Sequence, residues 1–228
     1  MPTAWYQQVV RLLAVLALAL LSTGCGESPQ PVAASSSGEA VSPQINPAGI
    51  DRARDELPDG YEVAAYAGSP APITLWSFGD EAASEPSQCL ALATPAVDSA
   101  ATRGWSASGP GGIVYAVVAR SSYPEAPDPA LLAECVQWTL TSGRATGTVT
   151  VHPGPVLDTA QTVAMSTVAT VVVEGGTETR SRAETLVAYL VDYVCFVALI
   201  TDPGSSSPTL GTVFATDLLT TALSAMRG

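Results

Sequence analysis

The second half of the chain is a succession of apolar, β-branched segments separated by turn residues, and this pattern constrains the fold most strongly. Gly109-Pro110-Gly111-Gly112 and Gly175-Gly176 are typical of tight turns between antiparallel strands. Few helical patterns intervene, so the sequence predicts an α+β domain with a mainly antiparallel sheet and packed helices. The predicted strands are Ile113–Arg120, Thr148–Val151, Thr162–Glu174, Thr185–Tyr189 and Val194–Thr201.

Helix signals lie on both sides of these strands. Asn46-Pro47 places an N-cap residue before a proline at the first helical position, which predicts a helix that ends before Pro58. Asp128-Pro129 repeats this signal, and Thr212–Met226 has the apolar periodicity of an amphipathic C-terminal helix. Further expected elements are strands over Tyr61–Tyr66 and Ile73–Phe78 and a short helix that carries Cys89.

An apolar run, Leu12–Leu21, follows Arg11 near the start of the chain. Ten residues are too few to cross a hydrocarbon core, which takes roughly 20 residues in a helix, but they suit a secretory signal peptide. The sequence that follows, Leu21-Ser22-Thr23-Gly24-Cys25, resembles a bacterial lipobox. The resemblance implies cleavage before Cys25, a lipid on Cys25 and anchoring at the extracytoplasmic face of the cell membrane. A plain signal peptide is the alternative.

The segment after Cys25 is rich in Ser, Pro, Gly and Ala and contains no aromatic residue. It cannot bury enough apolar surface to offset its ordering entropy, so we expect a disordered tether with a reach on the order of 25 Å. The predicted organisation is a signal peptide over residues 1–24, the lipidated cysteine and tether over 25–44, and one globular domain over 45–228.

Charge excludes several functions. The chain has nine basic residues, all of them arginine, and 21 acidic residues. Loss of residues 1–24 would change the net charge from −12 to −13. Such a surface repels nucleic acid and anionic lipid headgroups, so we expect no nucleic-acid partner and membrane attachment through the covalent lipid. The absence of lysine excludes Schiff-base chemistry and a phosphate-binding P-loop.

Catalytic signals are weak. The sequence holds a single histidine, His152, which a serine hydrolase would have to use, and Gly104–Ser108 lacks the second glycine of a nucleophile elbow. One histidine and scattered carboxylates predict neither a metal site nor a cofactor. Asp51, Asp55 and Glu56 could form an acidic pair, but three acids on a first helix usually form a solvated face.

Three tryptophans, Trp76, Trp105 and Trp138, have two possible roles. They could line a binding pocket, because aromatic rings supply large apolar contact surfaces. Side chains of this size more often fill a core, and we expect core packing.

Three segments resemble a mycobacterial lipoprotein family that has a C-terminal domain of unknown function. They are Asp51-x-x-x-Asp55-Glu56-Leu57-Pro58-x-Gly60-Tyr61-Glu62-Val63, Ser106–Gly112 and Leu218–Gly228. This resemblance extends from about Ile45 to Gly228 and implies a location and a fold without a chemistry. More loosely, Pro86-x-x-Cys89 and Cys135-x-x-Trp138 are similar to the extracellular sensor domain of a mycobacterial Ser/Thr kinase.

If Cys25 carries a lipid, three cysteines remain, and an oxidising compartment leaves one disulfide with three possible pairings. Loop-closure energies of about 4 kcal/mol do not discriminate between Cys89–Cys135 and Cys135–Cys195. Cys195 lies in an apolar strand that suits a buried free thiol, whereas the other two lie in helix-like stretches. The kinase sensor domain also carries bridged cysteines, so together these features favour Cys89–Cys135.

The sequence therefore predicts a non-catalytic envelope lipoprotein that binds a small molecule, a lipid or a partner protein through a cleft beside its sheet. One alternative is an envelope hydrolase that uses Ser106 or another serine with His152. Another is a purely structural or protein-interaction module. The pattern does not identify the ligand or the oligomeric state, and it does not say whether a cavity exists.

Overall fold

The computed structural model describes residues 44–79, 81–123, 126–158 and 160–228. The predicted signal peptide, Cys25 and nearly all of the tether lie outside the described residues. Within the described ranges the helical segments are the 3-10 helices η1 (Pro47–Glu56) and η2 (Ser87–Leu92) and the α-helices α1 (Pro72–Leu75), α2 (Pro129–Glu134) and α3 (Thr212–Arg227). None of these helices has both the length and the apolarity needed to cross a bilayer.

The strands form one sheet of nine in which every neighbouring pair is antiparallel. The spatial order is β1-β3-β4-β9-β8-β7-β6-β5-β2, so β5 to β9 form a continuous meander and β9 also pairs with β4. The strands are β1 (Glu62–Ala65), β2 (Ala83–Glu85), β3 (Val97–Gly109), β4 (Gly112–Ser121), β5 (Gln137–Ser142), β6 (Ala145–Pro153), β7 (Gln161–Val172), β8 (Glu178–Tyr189) and β9 (Tyr193–Thr201).

Each face of the sheet carries its own core, and β9 contributes to both. Its alternate residues Cys195 and Val197 face one core, while Val194 and Phe196 face the other. Because both faces of β9 are covered, neither face needs polar residues to contact water. This explains the unbroken apolar sequence of β9.

One face, which we call the helix-covered face, packs against η1 and α3. The two helices approach so closely that a Cβ on Gly49 would lie 2.2 Å from the carbonyl oxygen of Ala225. The Trp105 Nε1–H donates to the Ile50 carbonyl over 3.1 Å, which fixes η1 to β3. At the start of η1, the Asn46 N–H donates to the Met226 carbonyl over 2.8 Å, so the beginning and the end of the domain meet.

The opposite face, which we call the disulfide face, is covered in part by α1, η2 and the Cys89–Cys135 disulfide. Trp76, at the end of α1, is buried, and its Nε1–H donates to the buried Thr185 hydroxyl over 3.0 Å. Phe78 packs against the sheet at Gly147, where a Cβ would lie 2.7 Å from the phenyl ring. These aromatic anchors hold the segment that borders the candidate site.

The two ends of the strands differ in what they carry. The hairpin end holds the turns after β3, β5 and β7 and the start of α3. The opposite end, the tether end, holds the β8–β9 turn and the β6–β7 connection. Helix η1 leads away from Asn46 toward Tyr61, whose hydroxyl donates to the Pro110 carbonyl at the hairpin end over 2.7 Å. The chain therefore enters the domain toward the tether end.

The predicted α+β class with its antiparallel sheet and C-terminal helix is confirmed. The N-cap predictions are also confirmed, because the side chains of Asn46 and Asp128 accept from backbone N–H groups two residues further on. The first helix is a 3-10 helix rather than the expected regular helix.

Some of the observed strands differ from those predicted. The strand predicted over Ile73–Phe78 is wrong: Pro72 begins the short helix α1, and Trp76 turns inward to reach Thr185. Strand β3 was not predicted, since Val97–Gly109 is rich in small and polar residues and contains an irregularity between Asp98 and Thr102.

Candidate ligand-binding cleft

A cleft of about 420 Å³ opens on the disulfide face at the hairpin end, where neither α1 nor η2 covers the sheet. Its volume falls within the range of ligand pockets in proteins. The cleft is bounded by the β3–β4 turn, the start of β8, the end of β7 at Val171 and the segment that follows β9.

The floor of the cleft is apolar, and side-chain hydroxyl groups surround it. Ile113 and Ile200 are cross-strand partners on β4 and β9, and with Val171 they supply half-buried aliphatic surface. The lining residues with hydroxyl groups are Ser77, Ser108, Thr179, Ser181 and Thr201. The lining therefore matches a ligand that has an apolar body and a polar, hydrogen-bonding periphery.

Close backbone approach shapes the cleft at Gly112. Its φ is +147°, and a Cβ there would lie 2.0 Å from the Ile200 carbonyl oxygen. A side chain at this position would push β4 away from β9, so glycine keeps the two strands together beside the cleft.

Ser77 occupies the lip of the cleft in a strained conformation, with φ at +71°. The side chains on either side of it, Trp76 and Phe78, are buried, and they hold the backbone of the exposed serine in the left-handed region. A non-glycine residue pays roughly 1–2 kcal/mol for this conformation. Such strain is commonly retained where a backbone shape serves a site.

Asp202 is the one charged residue among the described residues that line the cleft. Its Oδ1 accepts from the Gly204 N–H over 2.8 Å, which orders the turn after β9. Tyr115 lies two residues after Ile113 on the same face of β4. It packs edge to face against Tyr66, with 6.0 Å between ring centroids. Burial raises the pKa of both tyrosines, so this pair stays neutral at physiological pH. Without a cation, the lining disfavours an anionic ligand.

A smaller hollow of about 230 Å³ lies on the helix-covered face at the same end. Arg182, Glu184 and the first turn of α3 border it. The Ser166 hydroxyl donates to the carboxylate of Glu184 over 2.7 Å. We take the cleft as the candidate site because it is larger and has an aliphatic floor.

The structure resolves the cysteine pairing. Cys89 and Cys135 form the disulfide, with an S–S distance of 2.04 Å, as predicted. Cys195 is a buried free thiol on the helix-covered face, so the sheet separates it from the bridge. Burial raises its pKa to about 12.

Ser106, one serine that a hydrolase could use, does not lie near His152. Ser106 pairs with Tyr115 on β4, and its strand lies five steps from β6, which carries His152. At about 4.8 Å per step, the two strands are roughly 24 Å apart. Ser106 also faces the disulfide side of the sheet, whereas His152 pairs with Ala164, which packs on the helix-covered side. Gly104–Ser108 lies within β3, without the strand–turn–helix context of a nucleophile elbow.

The remaining candidates have structural roles. Trp76, Trp105 and Trp138 are core residues, each at most 1% exposed. Asp51 forms an ion pair with Arg54 at 2.7 Å, and together with the exposed Asp55 and Glu56 it belongs to a solvated helix face. Within the described residues, no group of three potential metal ligands comes together.

The cleft residues were not predicted from the sequence, because they come from segments far apart in the chain. Ser77 precedes β2, Ile113 is the second residue of β4, and Asp202 follows β9. The turn sequences Gly109–Gly112 and Pro203-Gly204 were the available signals, and they indicate turns without indicating that these turns meet.

A family model described as a domain of unknown function (DUF5642) matches residues 46–227. The chain belongs to this family. A comparison with curated proteins finds no match.

The DUF5642 domain is similar in structure to an uncharacterised protein of Mycobacterium smegmatis, the Rv0999 ortholog, whose X-ray structure is known. The two are 20% identical and superpose with a TM-score of 0.59, over 82% of this chain and 99% of the other. At this identity the likeness establishes a shared fold.

Proposed function

We propose that this DUF5642 protein is a cell-envelope lipoprotein whose domain binds a neutral or cationic small molecule in the cleft, without catalysing a reaction. Lipidation of Cys25 would hold it at the extracytoplasmic face of the membrane. Support for the anchor comes from the lipobox-like sequence and from the resemblance to mycobacterial lipoproteins. The looser resemblance to a kinase sensor domain is compatible with a binding role.

The observation that carries the proposal is the cleft itself. Ile113, Val171 and Ile200 give it an aliphatic floor, and hydroxyl groups surround that floor. Because Asp202 supplies the only charge among the described lining residues, the cleft favours a ligand with an apolar body and a neutral or positive head. The separation of Ser106 from His152 argues against a hydrolase built on that serine.

Three probes of equal alkyl length test the charge preference: decyl glucoside, decyltrimethylammonium and decanoate, each below its micelle concentration. We expect the neutral and cationic probes to bind in calorimetric titrations and to shift the NMR resonances of Ile113 and Ile200. Decanoate should bind least. Asp202→Asn should narrow the difference in affinity between the cationic and the anionic probe, because it removes the negative charge. The asparagine oxygen can still accept from the Gly204 N–H, so the turn after β9 should be kept.

A matched pair of tryptophan variants tests the location. Ser108 lines the cleft and is exposed, so Ser108→Trp should fill the cleft and abolish probe binding. Ser99 is also exposed and lies near the other end of the same strand, so Ser99→Trp should leave binding unchanged. If both variants bind the probes as the unmodified protein does, the cleft is not the site. Capture of proteins alone by the intact domain would instead favour an interaction module.

A further inference from the structure

Exposed apolar side chains cluster at the tether end of the sheet. Seven large hydrophobic residues in the described part of the chain are exposed, and four lie in connections at this end. Tyr123 follows β4, Val191 lies in the β8–β9 turn, Val156 lies in the β6–β7 connection and Val136 precedes β5. Their exposed fractions are 73%, 75%, 98% and 55%.

Three of these residues lie along one rim. Tyr123, Val191 and Val156 are in connections of β4, β9, β8 and β7, which are successive strands in the sheet. Three inter-strand steps span about 14 Å. The Ser121 N–H donates to the Asp192 carbonyl over 2.8 Å, which joins the segment carrying Tyr123 to the turn carrying Val191. We call Tyr123, Val156 and Val191 the apolar rim.

The chain path indicates what this rim faces. The domain is entered at residues 44–46, toward the same end, and the candidate lipidated residue Cys25 precedes that point by about twenty residues. The tether expected from the sequence, with a reach on the order of 25 Å, would permit the domain to return to the bilayer surface. Whether the domain stays at the bilayer surface then depends on the side chains that are exposed at the tether end.

Nearby charges restrict the kind of membrane. Asp158 and Asp192 lie within two residues of Val156 and Val191 in the sequence. Arg120, at the end of β4, is engaged by Tyr193, with its guanidinium carbon 5.6 Å from the ring centroid. The two carboxylates disfavour anionic headgroups beside the rim, and tyrosine is a side chain suited to the interface between lipid and water.

We propose that the apolar rim docks on the surface of a neutral lipid bilayer and so directs the cleft, at the hairpin end, away from the membrane. This inference depends on the lipid anchor of the proposed function. The docked domain would take its ligand from the surrounding envelope space rather than from the supporting bilayer.

Two valines form a matched pair for the test. Val191 in the rim is 75% exposed, and Val213, at the start of α3 on the hairpin end, is 76% exposed. Each is replaced by cysteine in the full-length lipoprotein, labelled with an environment-sensitive dye and reconstituted into phosphatidylcholine vesicles that contain a bilayer-located quencher. Cys195 is buried, Cys89 and Cys135 are bridged, and the proposed lipid would occupy the sulfur of Cys25, so labelling of the native protein is confined to the introduced cysteine.

We expect quenching and a blue shift at position 191 and neither at position 213. Val156→Asp should reduce the ratio of docked to undocked domain by about tenfold or more, because the bilayer would no longer bury an apolar side chain there and would have to accommodate a carboxylate. Added phosphatidylglycerol should weaken the quenching at 191. Equal signals at both positions in vesicle-bound protein would overturn the docking proposal while leaving the anchor and the cleft intact. Protein that fails to remain with the vesicles would contradict the anchor, and docking with it.

Discussion

Loss of the Cys89–Cys135 disulfide should remove a large share of the domain's stability. The cysteines are 46 residues apart, and loop closure of that length corresponds to an entropy of about 13.5 cal/mol/K, or about 4 kcal/mol at 25 °C. Domains of this kind have unfolding free energies of about 5–15 kcal/mol in total. With a urea m-value of about 2 kcal/mol/M, the unfolding midpoint should fall by about 2 M.

Both cysteines are fully buried, so a reductant added to folded protein reaches them only when the segment opens. The reduced protein is therefore prepared by unfolding in dithiothreitol and refolding in its presence. Urea unfolding at 25 °C, followed by tryptophan fluorescence and circular dichroism, then gives the difference in midpoint between oxidised and reduced protein.

Two cysteine variants serve as controls for this measurement. Cys195→Ala keeps the bridge and should respond to reduction as the unmodified protein does. The double variant Cys89→Ala/Cys135→Ala has no bridge and should not respond. A loss below about 1 kcal/mol on reduction would refute the reasoning from loop length, as would an equal response of the double variant.

Backbone approach, strain and burial give three more predictions. Gly49→Ala should cost about 1–3 kcal/mol in urea unfolding because its Cβ would collide with the Ala225 carbonyl, whereas Gly79→Ala, which meets no atom within 4 Å, should cost little. Ser77→Gly should stabilise the domain by about 1 kcal/mol by relieving its positive φ; Ser77→Ala should not, and equal effects would contradict the strain. Because burial raises the pKa of Cys195 from 9.0 to about 12, the unfolded chain loses that proton first, so stability should fall as pH rises through this interval. Between these two pH values, the urea midpoint of Cys195→Ala should fall less than that of the unmodified protein.

Local signals predicted those parts of the fold that local chemistry determines. Gly175 and Gly176 both adopt positive φ, which the sequence signals because glycine favours that region. The Asp128 cap uses atoms only two residues apart. By contrast, the apolar run at Ile73–Phe78 fits a strand or a helix equally well, and the choice depends on Thr185, more than a hundred residues away.

The cleft could not be predicted for a related reason. Strand β3 consists largely of small residues and forms because β4 provides a pairing partner. Ile113 and Ile200 become neighbours through the β4–β9 pairing, which no local pattern encodes. The proposed anchor differs, because a signal peptide and a lipobox are linear motifs that are recognised in an extended chain. The sequence therefore supports a proposal about the location of this protein more directly than one about its ligand.

The contact between Asn46 and Met226 also determines the order in which the domain can be completed. A chain that emerges amino end first exposes η1 and the β3–β4 hairpin early, but β4 acquires its second neighbour only when β9 arrives. Helix α3, in the final residues, is needed to bury the helix-covered face. Pairings this distant in sequence form slowly. The segment 46–227 should therefore behave as an all-or-none unit, and a nascent chain should remain unfolded until its last helix has been released.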